Sequence, residues 1–340
     1  MQIQTSEATA RALVATGKGI LAADESAPTI EKRFKTIQVE SNEKNRRDYR
    51  AALFSTPGLG EFISAVILFD ETIRQKATDG TPLVEVLRQQ GIIPGIKVDK
   101  GAKALAGFAG EKVTEGLDGL RDRLAEYVQL GARFTKWRAV ITIGENIPTP
   151  ACLRSNAHAL ARFAALSQES GLVPIVEPEV LMDGEHTIAR CEEVTSAALE
   201  AVFSALFEHR VKFEEMLLKP NMVVSGKACP KQAGPAEVAE ATLRCFRRMV
   251  PAAVPGLVFL SGGQSDVEAT RNLNALNQAD NAPWELSFSF GRALQAPALK
   301  AWAGKPENVT TAQRTLLHRA RCNGAARFGK YSSELETPTT

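Results

Sequence analysis

Lys219 lies in the middle of an apolar run, Glu214-Glu215-Met216-Leu217-Leu218-Lys219-Pro220-Asn221-Met222-Val223-Val224. The run has the make-up of a buried strand. A lysine buried there loses hydration and is driven toward its neutral form, a nucleophilic amine. Such an amine can form an imine with a carbonyl substrate. Taken alone, the segment also fits a lysine at a strand end that snorkels to water or pairs with a carboxylate. Other charges shift the balance. Lys97 and Asp99, Lys136 and Arg138, Glu177 and Glu179, and Lys219 and Asn221 each stand two residues apart in apolar stretches, and Asp24 closes another. A step of two puts both members of a pair on one face of a strand. Any one pair fits a satisfied internal ion pair. The same pattern on four strands describes a charged, water-excluding cavity. There Lys136 would lower the pKa of Lys219, and Glu177 or Glu179 would shuttle protons during carbinolamine dehydration. Asp24 or another carboxylate would act as base on a substrate hydroxyl.

Two later stretches have the composition of an anion site. Phe259-Leu260-Ser261-Gly262-Gly263-Gln264-Ser265 ends an apolar run in two glycines, which let backbone N–H groups approach a ligand. Ser289-Phe290-Gly291-Arg292 ends the next run and opens a helical pattern. Ser-Gly-Gly alone is an ordinary turn; Arg292 at the corresponding place points to phosphate.

Positioning these residues requires strands. Apolar runs at 20–24, 62–69, 92–100, 133–143, 172–180, 214–224, 256–261 and 284–290 predict eight of them. Between and around them, helical periodicity covers 5–16, 42–54, 82–90, 117–130, 150–170, 185–209, 236–249 and 265–278. Helical patterns at 293–303 and 306–326 follow the last strand, and the stretch after strand one has the composition of a polar loop. Strands alternating with helices imply parallel pairing, and eight such units predict an α/β fold, a single (β/α)8 TIM barrel. Residues 1–330 form that one domain, and 331–340 are expected to be a short flexible tail with little to anchor it. A doubly wound open sheet is the competitor. It usually carries a glycine-rich phosphate fingerprint after strand one, where this chain has Asp24-Glu25-Ser26-Ala27-Pro28. In the closed barrel, catalysis belongs at the C-terminal ends of the strands, where the paired charges fall.

Composition sets limits. A net charge of +2 in 340 residues gives no case for nucleic acid or membrane as the main partner. No apolar stretch approaches membrane-spanning length. No secretory leader is recognisable, and the five cysteines are widely spaced, never CxxC, so a reducing cytoplasmic setting is expected. There is no GxxxxGK[ST], GxGxxG or HExxH, and the four histidines share no ligand spacing. Neither a metal site nor a cofactor is therefore expected.

Seven blocks stand in an order that resembles one family. They are Gly19-Ile20-Leu21-Ala22-Ala23-Asp24-Glu25-Ser26, Gly95-Ile96-Lys97-Val98-Asp99-Lys100-Gly101, Lys136-Trp137-Arg138, Pro174-Ile175-Val176-Glu177-Pro178-Glu179, Leu218-Lys219-Pro220-Asn221-Met222, Phe259-Leu260-Ser261-Gly262-Gly263-Gln264 and Gly291-Arg292-Ala293-Leu294-Gln295. Together they resemble class I fructose-bisphosphate aldolase, from the first helix to about Gly329. The resemblance implies a metal-free, reversible retro-aldol lyase acting in glycolysis and gluconeogenesis, and a homotetramer. By it, Lys219 would form the Schiff base with fructose 1,6-bisphosphate. Glu177 would be the main proton donor and acceptor with Glu179 beside it, Asp24 would take the C4 hydroxyl proton, and Lys136 would assist at the imine. Ser261, Gly262, Gly263, Ser289 and Arg292 would hold the C1 phosphate. Arg33, Arg46, Lys97 and Arg138 would lie near the C6 phosphate or the rest of the sugar. Family members commonly finish in a mobile tail ending in tyrosine that reaches the active site. Here the tail tyrosine is Tyr331, and the last residues are Glu336-Thr337-Pro338-Thr339-Thr340, so no terminal phenol carries over. The rival readings are another imine-forming barrel lyase, transaldolase-like or acting on a single phosphate, and a binding scaffold on the same barrel. Two separated groups of cations favour two phosphates, and a scaffold would have no need of both Lys219 and Glu177.

Overall fold

The computed structural model of the protein describes residues 5–279 and 282–337. Eight parallel strands close into a barrel in sequential order. They are β1 (Gly19–Ala23), β2 (Ile63–Leu68), β3 (Ile93–Lys97), β4 (Phe134–Ile141), β5 (Val173–Val180), β6 (Leu217–Leu218), β7 (Gly256–Phe259) and β8 (Glu285–Phe290). Helices coat the outside, and their apolar faces share one large core with the outward residues of the strands, among them Leu21, Trp137, Val176 and Leu218. The single (β/α)8 barrel is the predicted fold. No helix among the described residues is long and apolar enough to cross a membrane.

The barrel interior divides in two along its axis. Its lower half is a separate apolar cluster of Ile20, Ala22, Ala65, Ile67, Phe134, Val173, Ile175, Leu217 and Val258. Gly95 leaves the space that the Phe134 ring fills. Helix Ser6–Leu13 closes the floor, placing Ala10, Leu13 and Val14 against that cluster. Two residues further along the same strands the inward positions become Asp24, Lys136, Glu177 and Lys219. Alternation by two thus stacks the charges directly above an apolar plug, at the end where barrel enzymes do their chemistry.

The structure departs from the sequence reading in four places. The stretch after β1 is a helix, Ala27–Lys35, whose first turn holds Pro28; proline tolerates that place because its missing N–H is not needed there. Between β3 and helix Leu120–Gln129 an antiparallel hairpin pairs Ala102–Ala104 with Lys112–Thr114. Strand six is far shorter than 214–224. Lys219 N–H still donates to Val176 O at 2.8 Å, but Pro220 has no N–H to offer. Beyond it, side chains replace the ladder: Asn221 Oδ1 accepts from Val180 N–H and Thr242 Oγ1 accepts from Val223 N–H.

The fourth correction concerns the tail. Residues 331–337 are anchored; 338–340 lie outside the described residues. Tyr331 is buried, its N–H donates to Asn274 Oδ1 at 2.9 Å, and its hydroxyl donates to Glu336 Oε1 at 2.6 Å. Glu336 also pairs with Arg319, a guanidinium buried on helix Val309–Arg327. A buried cation needs a carboxylate, and the tail supplies one. Replacing Glu336 by alanine should cost about 2 kcal/mol of stability. Urea unfolding of the two proteins checks this, and equal midpoints would mean that the contact does not hold the segment.

Candidate active site

The charged end of the barrel opens into a cavity of about 820 Å3. Its floor is a chain of ion pairs. Lys136, two residues beyond Phe134 on β4, lies 2.6 Å from Asp24 Oδ2 and 3.0 Å from Glu177 Oε2. The other oxygen of Glu177 lies 3.3 Å from Lys219 Nζ. All four side chains are nearly enclosed, and Lys219 is 5% exposed.

Burial and charge set the protonation of each group. Burial pushes the Lys219 ammonium below the ordinary lysine value; Glu177 opposes this, and neighbouring Lys136 adds to it. Burial also works against charge on Lys136, but Asp24, Glu177 and Asp99 outweigh it and hold the pKa above the usual range. For Asp24 and Glu177, burial favours the neutral acid. The surrounding cations, Lys136 first, win and depress both carboxylates. The result is a division of labour: one lysine fixed as a cation, the other poised to lose its proton.

Above this floor, Arg138 pairs with Glu179, and Lys97 Nζ lies 3.4 Å from Asp99 Oδ1. Asp99 also accepts from the N–H groups of Gly101 and Arg138, so it orients the loop as well as the lysine. Arg33 pairs with Glu25, whose carboxylate accepts from Gln295 Nε2 at 2.7 Å. Gln295 donates in addition to Ala22 O at the end of β1. Ser261, Gly262, Ser289 and Arg292 also line the cavity. Arg292 Nη2 donates to Gly262 O at 3.0 Å, and Gly262 has φ +53°, a value glycine accepts without strain. Ser289 Oγ is buried without a hydrogen-bond partner. An orphaned hydroxyl of that kind is kept where a ligand supplies the missing bond.

Most of the residues expected from the sequence meet here. Asp24, Lys136, Glu177, Glu179 and Lys219 all line the cavity, as do Arg33, Lys97, Arg138, Ser261, Gly262, Ser289 and Arg292. Arg46 does not, and the expectation for it is corrected. Its Nε donates to Glu71 Oε2 at 2.8 Å and its Nη1 to Ser41 O at 2.6 Å. Gly263 sits one residue behind the lining. Its N–H donates to the thioether of Met182 at 3.1 Å, and an added Cβ would fall 2.7 Å from that sulfur. Met182, Lys32, Glu25 and Gln295 were not expected; strand spacing does not mark them, because helices Ala27–Lys35 and Arg292–Trp302 bring in Lys32 and Gln295 and loops bring in Glu25 and Met182.

The family model for class I fructose-bisphosphate aldolase matches residues 6–340. The chain belongs to that family. It is 57% identical to a probable class 1 fructose-bisphosphate aldolase of Xanthomonas axonopodis pv. citri, over 97% of this chain and 99% of the relative. It is 54% identical to the fructose-bisphosphate aldolase of Dictyostelium discoideum, over 97% and 93% of the two chains. The solved fructose-bisphosphate aldolase of Plasmodium falciparum superposes with a TM-score of 0.95 at 51% identity, covering 96% of this chain and 95% of that one. This aldolase-family barrel therefore carries its charges where sequence periodicity alone puts them.

The electrostatics can be tested without substrate. Lys136→Met removes a cation that depresses Lys219 and leaves both Glu177 oxygens to stabilise the ammonium. The pH midpoint for carbamylation of Lys219 by cyanate should move upward. A midpoint that stays or falls means that Lys136 is not what lowers it.

Proposed function

We propose that the chain cleaves fructose 1,6-bisphosphate reversibly into dihydroxyacetone phosphate and glyceraldehyde 3-phosphate through an imine on Lys219. The observation that carries this reading is Lys219 Nζ at 3.3 Å from Glu177 Oε1, inside a cavity also lined by Arg33, Lys97, Arg138 and Arg292. Glu177 takes a proton from the Lys219 ammonium, and the neutral amine attacks the C2 carbonyl. Glu177 then passes that proton to the carbinolamine hydroxyl, which leaves as water, and a protonated imine remains. Asp24 takes the C4 hydroxyl proton; the C3–C4 bond breaks, its electrons move into the imine to give an enamine, and the aldehyde departs. A proton delivered to C3 from the Glu177 side restores the imine, and water releases the ketone and frees Lys219. The protonated imine is the electron sink, so the cycle needs no metal. Lys136 keeps Asp24 and Glu177 ionised between proton transfers.

The number of cations lining the cavity supports a substrate with two phosphates. Ser261, Gly262, Ser289 and Arg292 would take the C1 phosphate, and the orphaned Ser289 hydroxyl would gain its bond there. Arg33, Lys97 and Arg138 would serve the C6 end. Gly263 would contribute its N–H only after release from Met182. A place in glycolysis and gluconeogenesis, a cytoplasmic setting and a homotetramer follow from the family, two of whose plant members are named cytosolic.

Borohydride added with dihydroxyacetone phosphate should inactivate the enzyme by reducing an imine at Lys219, with or without EDTA in the cleavage assay. Peptide mapping reads the site; a label elsewhere, or cleavage that EDTA abolishes and zinc restores, removes this mechanism. Arg292→Ala should weaken dihydroxyacetone phosphate binding at least ~10-fold, since each charge-assisted bond contributes about 1.5–3 kcal/mol. Unchanged affinity would move the phosphate elsewhere.

A further inference from the structure

Away from the barrel mouth, three side chains of metal-ligating type converge on the docked tail. His318 and Cys322 stand four residues apart on one face of helix Val309–Arg327, with Nε2 and Sγ 3.8 Å apart. Glu336 reaches them from the short turn Ser333–Glu336, and the three ligand atoms all lie within 4.8 Å of one another. We propose that His318, Cys322 and Glu336 bind a zinc-class divalent ion that fastens the 331–337 segment to this helix, apart from the catalytic cavity.

The geometry suits the ion. Tetrahedral zinc holds nitrogen and sulfur at about 2.1 and 2.3 Å, which sets its ligand atoms about 3.5 Å apart. The His318–Cys322 pair already approximates that spacing. The Glu336 carboxylate already lies within 4.8 Å of both atoms, so a small shift of the three side chains brings them to that spacing. An imidazole, a thiolate and a single carboxylate select zinc or a similar borderline metal; calcium and magnesium require more oxygen ligands.

The surroundings are those of a supported ligand. Glu336 Oε1 accepts from Tyr331 and Oε2 from Arg319, and each oxygen keeps a second lone pair for the metal. Metal-bound carboxylates are oriented by such outer hydrogen bonds. Arg319, which pairs with Glu336, has Asp266 as a second carboxylate partner 4.0 Å from its Nε, so it keeps an anion when the metal draws on Glu336. His318 and Glu336 are half-buried and leave a path inward, whereas Cys322 is 1% exposed and protected from other reactions. Its sulfur now makes only weak contacts, to Leu335 O at 3.4 Å and to His318 Nε2 at 3.8 Å. On binding, the thiol proton passes to solvent, a metal–sulfur bond replaces that contact, and water takes the fourth position.

Cobalt(II) makes the test visible, because a thiolate ligand gives it a sulfur-to-metal charge-transfer absorption. The full chain, treated with chelator and then titrated with cobalt, should show that band saturating at one equivalent, and zinc should displace it. Cys322→Ser should abolish the band. His318→Gln, at a half-buried position that tolerates the change, should weaken cobalt binding by more than ~10-fold, as should Glu336→Gln. No saturable band in the parent protein, or a band that survives Cys322→Ser, overturns the proposal. So does affinity unchanged in both His318→Gln and Glu336→Gln, which would mark adventitious binding by a lone thiol. Absorbance is read and not turnover, so the outcome is independent of what the barrel cleaves.

Discussion

The Glu177 carboxylate bridges two lysines, and the mouth of the barrel depends on that contact. One oxygen meets Lys219 and the other meets Lys136, which in turn meets Asp24. Removing one partner from such a buried set costs about 3–5 kcal/mol, because the charge left behind has no water to turn to. The arrangement is therefore balanced as a whole. Two carboxylates are shared between a lysine held charged and a lysine whose charge is only partly supported. That asymmetry, and not burial alone, separates the two amines chemically.

The wall that holds Ser289 and the Gly262-Gly263 turn follows a different rule. Its groups are not satisfied by one another: Ser289 Oγ has no partner, and the Gly263 N–H rests on a thioether, among the weakest acceptors a side chain offers. Polar groups held this way lose little when an anion replaces their present neighbour. The cavity thus pairs a floor that is closed electrostatically with a wall that is left open.

The gathering of charges at one end of the barrel was legible in the sequence because strand alternation is strict. A step of two from Phe134 to Lys136, or from Ile175 to Glu177, moves up one face without leaving it. Helical and loop residues carry no comparable rule. Arg46 looks from its type like a phosphate ligand, yet helix Glu43–Phe54 turns it to Glu71, which sits 25 positions away on another segment. The anchoring of the tail was hidden for the same reason. Residues 332–336 contain one apolar side chain, Leu335, and their hold comes from Arg319 and Cys322, which sequence spacing does not connect to them. Strand six was over-extended because Met222, Val223 and Val224 are apolar; they are buried, but Pro220 has already ended the ladder.

Helix Ser6–Leu13 has a consequence for traffic. With Ala10, Leu13 and Val14 filling the floor against Ile20, Phe134 and Leu217, the barrel is plugged at its lower end among the described residues. A ligand that enters at the mouth passes the cations there on its way out, and under the proposed cleavage the fragment nearer the mouth would go first. The inner fragment would stay behind as long as its proposed attachment at Lys219 lasts. Order of departure is thereby written into the architecture: a stack served from the top, with an apolar stopper beneath it.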